Sequence, residues 1–281
     1  MKKNAQRFQK KLMKKLKPLL DFSAAMDKKN VSVMAAGIAY FTLLAIFPGV
    51  AAGMAIALFM LEPSQVEMVM NGLGAYLPEE ITGMLSIVLS RQAGEGSNLV
   101  MAGVGIAIAL FGASGAMQNT TKALNEVFSV KETRNIVRLR LISIALTMGV
   151  ILLAATVAGL LLLLSHGQLT YWDVPGWLAV ILSILRWPLM LVVINAAILG
   201  LFRYGANREK VARTITTPGA TLATLAWLVV TAGFFWYLQH FAGFAQSYSI
   251  FAGIIALMMW FNLSATVILV GALFDARRKK A

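Results

Sequence analysis

The chain has 281 residues, 59% of them hydrophobic and 13% charged, with a mean hydropathy of +0.75. That balance excludes an ordinary soluble domain, and the absence of cysteine excludes disulfides, thiolate metal sites and a cysteine nucleophile. The net charge of +13 sits at the ends of apolar runs instead of in one continuous stripe, so anionic lipid headgroups are the expected partner and nucleic acid is not.

Residues 1–30 form a basic tail with ten Lys and Arg between Lys2 and Lys29. Within it Phe8, Leu12, Leu16 and Leu19 recur at helical spacing among Lys10, Lys11, Lys14 and Lys15, the pattern of a helix lying on the inner leaflet. An RNA-binding arm is the rival reading. The tail is too long and polar for a signal peptide, so the first apolar run is expected to stay as an anchor.

A spanning helix needs about 20 mostly apolar residues. Six stretches meet that need, roughly Val31 to Leu61, Leu99 to Met117, Leu141 to Leu164, Trp177 to Phe202, Pro218 to Tyr237 and Ile250 to Phe274. The expected fold is therefore all-α and polytopic, with a six-helix transmembrane domain over 31–274 and a basic C-terminus over 275–281. Between the first two spans, residues 64–92 read as an amphipathic helical hairpin, opening on the capping-box spelling Ser64 to Glu67 and restarting at Pro78. Ladders of small residues, Gly49, Gly53 and Ala57 in the first span and Gly105, Ala109 and Ala113 in the second, suit close helix packing in lipid.

Of the 25 Lys and Arg, 23 fall in the tail, the second and fourth gaps and the C-terminus. Because Lys and Arg are retained on the cytoplasmic side, both termini are expected there. Tyr171, Trp172, Trp177, Tyr237 and Tyr248 then fall at outer ends, as interfacial aromatics do. Spans one to three and four to six run in opposite directions, so Pro48 and Pro188 occupy matched positions of 3+3 inverted halves, where broken helices mark a transporter's central site. The sequence leaves homo-oligomer formation open.

Arg186 stands out. It lies about nine residues inside the fourth span, where an arginine costs about 2.5–3.5 kcal/mol at the membrane centre and points to function. It either meets an anionic ligand or snorkels to the outer interface beside Trp177 and Asp173. Tyr40, Thr42, Asn195 and Asn262 are the other intramembrane polar residues placed on a substrate path, and interhelical hydrogen bonding is their plainer role. No phosphate-binding glycine loop, H-E-x-x-H, zinc spacing or G-x-S-x-G occurs. No enzyme activity, catalytic residue, metal site or cofactor is therefore expected. The two histidines, His166 and His240, fall at outer ends of spans.

The run from Ala35 to Pro48, Ala-Ala-Gly-Ile-Ala-Tyr-Phe-Thr-Leu-Leu-Ala-Ile-Phe-Pro, resembles the first-span signature of the YihY/BrkB inner-membrane proteins, once labelled ribonuclease BN. Similar pieces follow in order: Lys122-Ala123-Leu124-Asn125 with Phe128, Arg186-Trp187-Pro188, Arg203-Tyr204 with Asn207, Pro218-Gly219-Ala220, and Trp260 through Gly271-Ala272. Ala206 stands where that family usually has proline, and Leu273 where it often has an acid after Gly-Ala. The resemblance implies a six-helix inner-membrane protein. A ribonuclease is not expected, since Glu126, Glu132 and Glu209 lack the spacing of a metal-dependent nuclease. The expected activity is transport or flipping of an anionic or amphipathic envelope solute, and a membrane scaffold for envelope assembly is the alternative.

Overall fold

The computed structural model describes residues 16–18, 20–60, 99–172, 174–208, 216–241 and 249–278. The outer hairpin expected over 64–92 and the lysines Lys10, Lys11, Lys14 and Lys15 lie outside the described residues. Every described element is helical: α1 (Leu16–Lys28), α2 (Val31–Met60), α3 (Leu99–Phe128), α4 (Ile136–Leu163), α5 (His166–Tyr171), α6 (Gly176–Gly200), a π-helical turn (Leu201–Gly205), α7 (Pro218–Phe241) and α8 (Ser249–Arg278). Among the described residues, four helices are long and apolar enough to cross a membrane: 136–163, 176–205, 218–240 and 253–278. A fifth span arises if α1 and Val31–Ile46, bent by 54° against each other, count as one.

Local signals explain the helix ends. Asn30 turns the chain from α1 into α2 at φ 50°, a left-handed conformation that asparagine tolerates better than most residues. Ser129 does the same after α3 at φ 56°. Its N–H reaches Glu126 O at 3.1 Å and that of Val130 reaches Asn125 O at 2.9 Å, the paired bonds of a Schellman end. Asn135 then caps α4 by accepting the Arg138 N–H at 2.8 Å.

Two expectations are corrected. The second span was expected to finish at Met117, but α3 continues to Phe128, because Ala123, Leu124 and Val127 on that polar extension bury against neighbouring helices. The helix breaks expected at Pro48 and Pro188 are absent: α2 and α6 run through both positions. One proline withdraws a single N–H, the one that would meet the Ile184 carbonyl, and α6 continues past it. The irregularity comes later, at Leu201–Gly205, where the α6 spiral widens to π geometry, a feature often found at functional sites.

Among the described residues, one buried cluster ties the helices together. Val31, Ala35 and Ile38 from the start of α2 meet Leu124 and Val127 from the end of α3. Ile198, Leu199 and Phe202 from the end of α6, Ala220 and Ala223 from the start of α7, and Leu269, Ala272 and Leu273 from the end of α8 complete the cluster. All lie at one end of the bundle, which also carries the basic loops and is here named the basic end. Toward the other end, Leu152, Ile184, Val229 and Ile255 are exposed, as side chains facing hydrocarbon would be. Tyr171, Trp172, Trp177 and Tyr237 are exposed there as well.

Candidate functional site

At the basic end the loop after α3 is tied to the end of α6 by one polar network. Arg134 bonds its neighbour Glu132 in a fork, Nε to Oε1 and Nη2 to Oε2, both at 2.7 Å. The same guanidinium donates across the bundle to Gly205 O at 2.9 Å and Tyr204 O at 3.3 Å, at the close of the π turn. Asn125 Nδ2 donates to Glu132 Oε2 at 2.7 Å, and Asn125 Oδ1 accepts the Asn207 N–H at 2.6 Å. Asn207 Nδ2 then donates to Lys131 O and Thr133 Oγ1, both at 2.8 Å. The Arg134 side-chain hydrogen bond, opposed in part by burial, holds the Glu132 carboxyl below its ordinary value. Such charge-assisted bonds contribute about 1.5–3 kcal/mol each, so the network fixes the loop where a bare turn would leave it loose.

Beside it, Asp275 joins α8 to α7. It is buried, and its Oδ1 accepts the Gly219 N–H at 2.7 Å, one of the unpaired donors that open α7. The joint exists because two glycines meet. A Cβ on Gly219 would collide with Gly271 O and lie 2.7 Å from Asp275 Oδ1, and one on Gly271 would collide with Gly219 O and lie 2.7 Å from the Ala223 Cβ. Further along, the same two helices exchange indole bonds: Trp227 Nε1 donates to Ser264 Oγ at 3.0 Å and Trp260 Nε1 to Thr231 Oγ1 at 3.3 Å. Arg208, with its guanidinium 4.2 Å over the Phe128 ring, has its pKa lowered by burial while the charge of Asp275 opposes that shift.

The expected substrate-path residues are not brought together. Arg186 is half-buried and donates Nη1 to Leu161 O at 3.1 Å, near the C-terminus of α4, with its guanidinium 5.4 Å from the Trp187 ring. Ser165, whose N–H would close the last turn on Leu161, donates instead to Leu162 at 3.2 Å. Arg186 therefore supplies a cation to a helix end that carries partial negative charge. Asn195 serves a separate cluster, donating to Thr224 Oγ1 at 3.0 Å and accepting from Thr216 Oγ1 at 2.8 Å. Tyr40 is exposed and rests edge-on against Phe41, and Thr42 is half-buried on the same helix. Asn262 accepts the Thr266 hydroxyl with its backbone oxygen at 2.8 Å, a local bond within α8.

The reading from sequence missed the residues that do converge. Asp275 was placed in the C-terminal tail, although its spacing of four from Gly271 put both on one face of a helix. Asn125 and Asn207 were noted only as motif letters. Lys29 also belongs to this end, donating Nζ to Glu126 O at 2.8 Å and pairing with Glu126 Oε1 at 3.1 Å.

Comparison with known proteins points to one family. Residues 22–281 match the family model described as virulence factor BrkB. The ribonuclease-like protein YfkH of Bacillus subtilis is 30% identical over 256 residues, 87% of this chain and 90% of that one. A UPF0761 membrane protein of Pseudoalteromonas translucida is 25% identical, covering 86% of this chain and 79% of its own. Another from Vibrio vulnificus is 27% identical, covering 89% and 78%. No solved structure matches.

Proposed function

This chain belongs to the virulence factor BrkB family of membrane proteins, and from that premise we propose that it is a transporter or flippase-like protein for an anionic or amphipathic envelope-related solute. In this reading it spans the bacterial inner membrane six times, with both termini cytoplasmic and anionic headgroups gathered at its basic end. The observation that carries the reading is the sealed basic end. Among the described residues, the buried cluster joins the ends of α2, α3, α6, α7 and α8 there, which suits a pathway closed on that side. Rocking of helix bundles about such a closure is how alternating access works.

The experiment is a flux measurement on the full chain in vesicles of phosphatidylethanolamine and phosphatidylglycerol carrying a trace of headgroup-labelled phosphatidylglycerol. Protein-dependent exposure of inner-leaflet label to an impermeant quencher supports flipping. Rates equal to those of protein-free vesicles, with the chain correctly inserted, count against it for this lipid.

A non-transporting scaffold is the second reading, favoured by the bond from Arg186 to Leu161, which gives that arginine a structural task. A scaffold would keep its function in Arg186→Gln, with only a lower melting temperature, and lose it when residues 8–17 are deleted; a transporter would do the reverse. Ribonuclease activity, suggested by the name of the Bacillus relative, is not part of our proposal. Two carboxylates at the basic end are already engaged, Glu132 by Arg134 and Glu126 by Lys29.

A further inference from the structure

Arg140 sits in the first turns of α4 and reaches across to α3. Its Nη2 donates to Phe111 O at 2.6 Å, and its guanidinium carbon lies 3.6 Å from the centre of the Phe111 ring. That contact answers no structural need. Lys29, Arg134 and Arg186 meet carbonyls at helix ends, where helical donors are missing. Phe111 instead lies well inside α3, and its oxygen already takes the Ser114 hydroxyl at 2.7 Å. The rest of the guanidinium is unmet: Nε is buried with no hydrogen-bond partner, and no carboxylate among the described residues pairs with Arg140. A half-buried cation over an aromatic face gains from the ring but still lacks a counter-charge.

The depth suits a phosphate. α4 has 28 residues, about 42 Å at helical rise, which matches a bilayer with its headgroups. Arg140 is the fifth of them, about 6 Å in, where headgroups give way to hydrocarbon. The surfaces beside it are apolar and uncovered. Ile136 and Val137 lie one turn below on the same face, 86% and 67% exposed, and Phe111 is 59% exposed. A cation bordered by open apolar surface at this level matches a molecule that is anionic at one end and apolar along the rest; a free anion would leave the apolar surface bare.

We propose that Arg140, backed by Phe111, holds the phosphate of an anionic phospholipid from the leaflet at the basic end, with the acyl chains lying over Ile136 and Val137. This deepens the transport reading above and rests on it for the purpose of the site, where an amphipathic solute is first bound before it crosses. Nη1 and the second N–H of Nη2 supply a fork for two phosphate oxygens. Arg138 carries the same charge and is exposed, but two residues along a helix turn it about 200° away from this face.

Native mass spectrometry of the full chain, released from detergent micelles and titrated with dioleoylphosphatidylglycerol, tests this directly. A saturable lipid adduct should form, and Arg140→Gln should weaken it about tenfold, the loss of a charge-assisted fork. Arg138→Gln removes the same charge and should weaken it by less than about threefold, as an exposed charge does. Arg140→Lys keeps the charge without the fork and should also weaken binding, which covers a glutamine variant that does not accumulate. On the unaltered chain, inorganic phosphate in excess should leave the adduct in place, and dioleoylglycerol, with the tails but no phosphate, should form none. Equal losses in Arg138→Gln and Arg140→Gln, an adduct unchanged in Arg140→Gln and Arg140→Lys, or displacement by inorganic phosphate overturns the site whatever the flux assay shows. A lipid bound through Arg140 in a chain that moves none overturns the transport reading and leaves the site standing.

Discussion

Replacing Arg186 by methionine separates its structural role from a ligand role. The side chain makes one charge-assisted bond to Leu161 O at 3.1 Å and adds a cation at the end of α4. Bonds to charged groups contribute about 1.5–3 kcal/mol, and the helix-dipole share is about 0.3–1 kcal/mol. Arg186 is half-buried, so the lower part of that range applies, about 2 kcal/mol in all. At about 2–4 °C per kcal/mol for chains of this order of size, Arg186→Met should lower Tm by about 4–8 °C, and Arg186→Lys, which keeps charge and one donor, by less than half of that. The chain has six tryptophans and no cysteine, so intrinsic fluorescence during heating in detergent reads the transition without thiol dyes. A methionine variant melting within about 1 °C of its parent, inside the resolution of this scale, refutes the capping role. Flux lost without that shift in melting would return Arg186 to the substrate path.

Gly271→Ala should be strongly damaging, because the added carbon meets the Gly219 backbone and the Ala223 Cβ; a loss of at least about 1–3 kcal/mol is expected as lower Tm and poor accumulation, against a silent Gly233→Ala, which meets open space. Glu132 gives a pH dependence: its folded pKa is depressed, so its contribution is fully present above the unfolded value of about 4.3 and fades as pH falls through the lower folded value. Melting curves below about pH 5 should therefore fall more steeply for the parent than for Glu132→Gln. Trp260→Phe removes the bond to Thr231 and should cost about 1 kcal/mol, with Trp260→Phe and Thr231→Val together costing less than the sum of the two, because the shared bond is lost only once.

The long apolar helices were legible because twenty-residue apolar runs leave a chain no other use in lipid. The extension of α3 was not, since Gln118 to Phe128 reads as polar and its apolar positions are justified by α2, α8 and the π turn packed against them. Arg186 announced itself by depth, but its partner is a backbone carbonyl, and carbonyls carry no mark in a sequence. Asp275 and Gly219 are 56 positions apart and Asn207 and Asn125 are 82 apart, so neither pairing has a local signature. The glycines gave the strongest available hint. Two of them placed early in one helix and late in another, with an acid one turn on, describe a backbone crossing once the helices are known to be neighbours.

Among the described residues, three helix C-termini receive a cation from another segment: Lys29 at Glu126 O, Arg134 at Gly205 O and Arg186 at Leu161 O. Loop charge that decides insertion can in principle be redistributed among neighbouring positions, because a translocating membrane counts charges and ignores their addresses. These three cannot be moved that way. A shift of Arg134 by two residues leaves the loop's charge count intact and strips the π turn of its donor. Lineages that preserve topology by trading basic residues along a loop should therefore hold these positions still while their neighbours drift, and chains engineered to insert upside down should assemble without a sealed basic end.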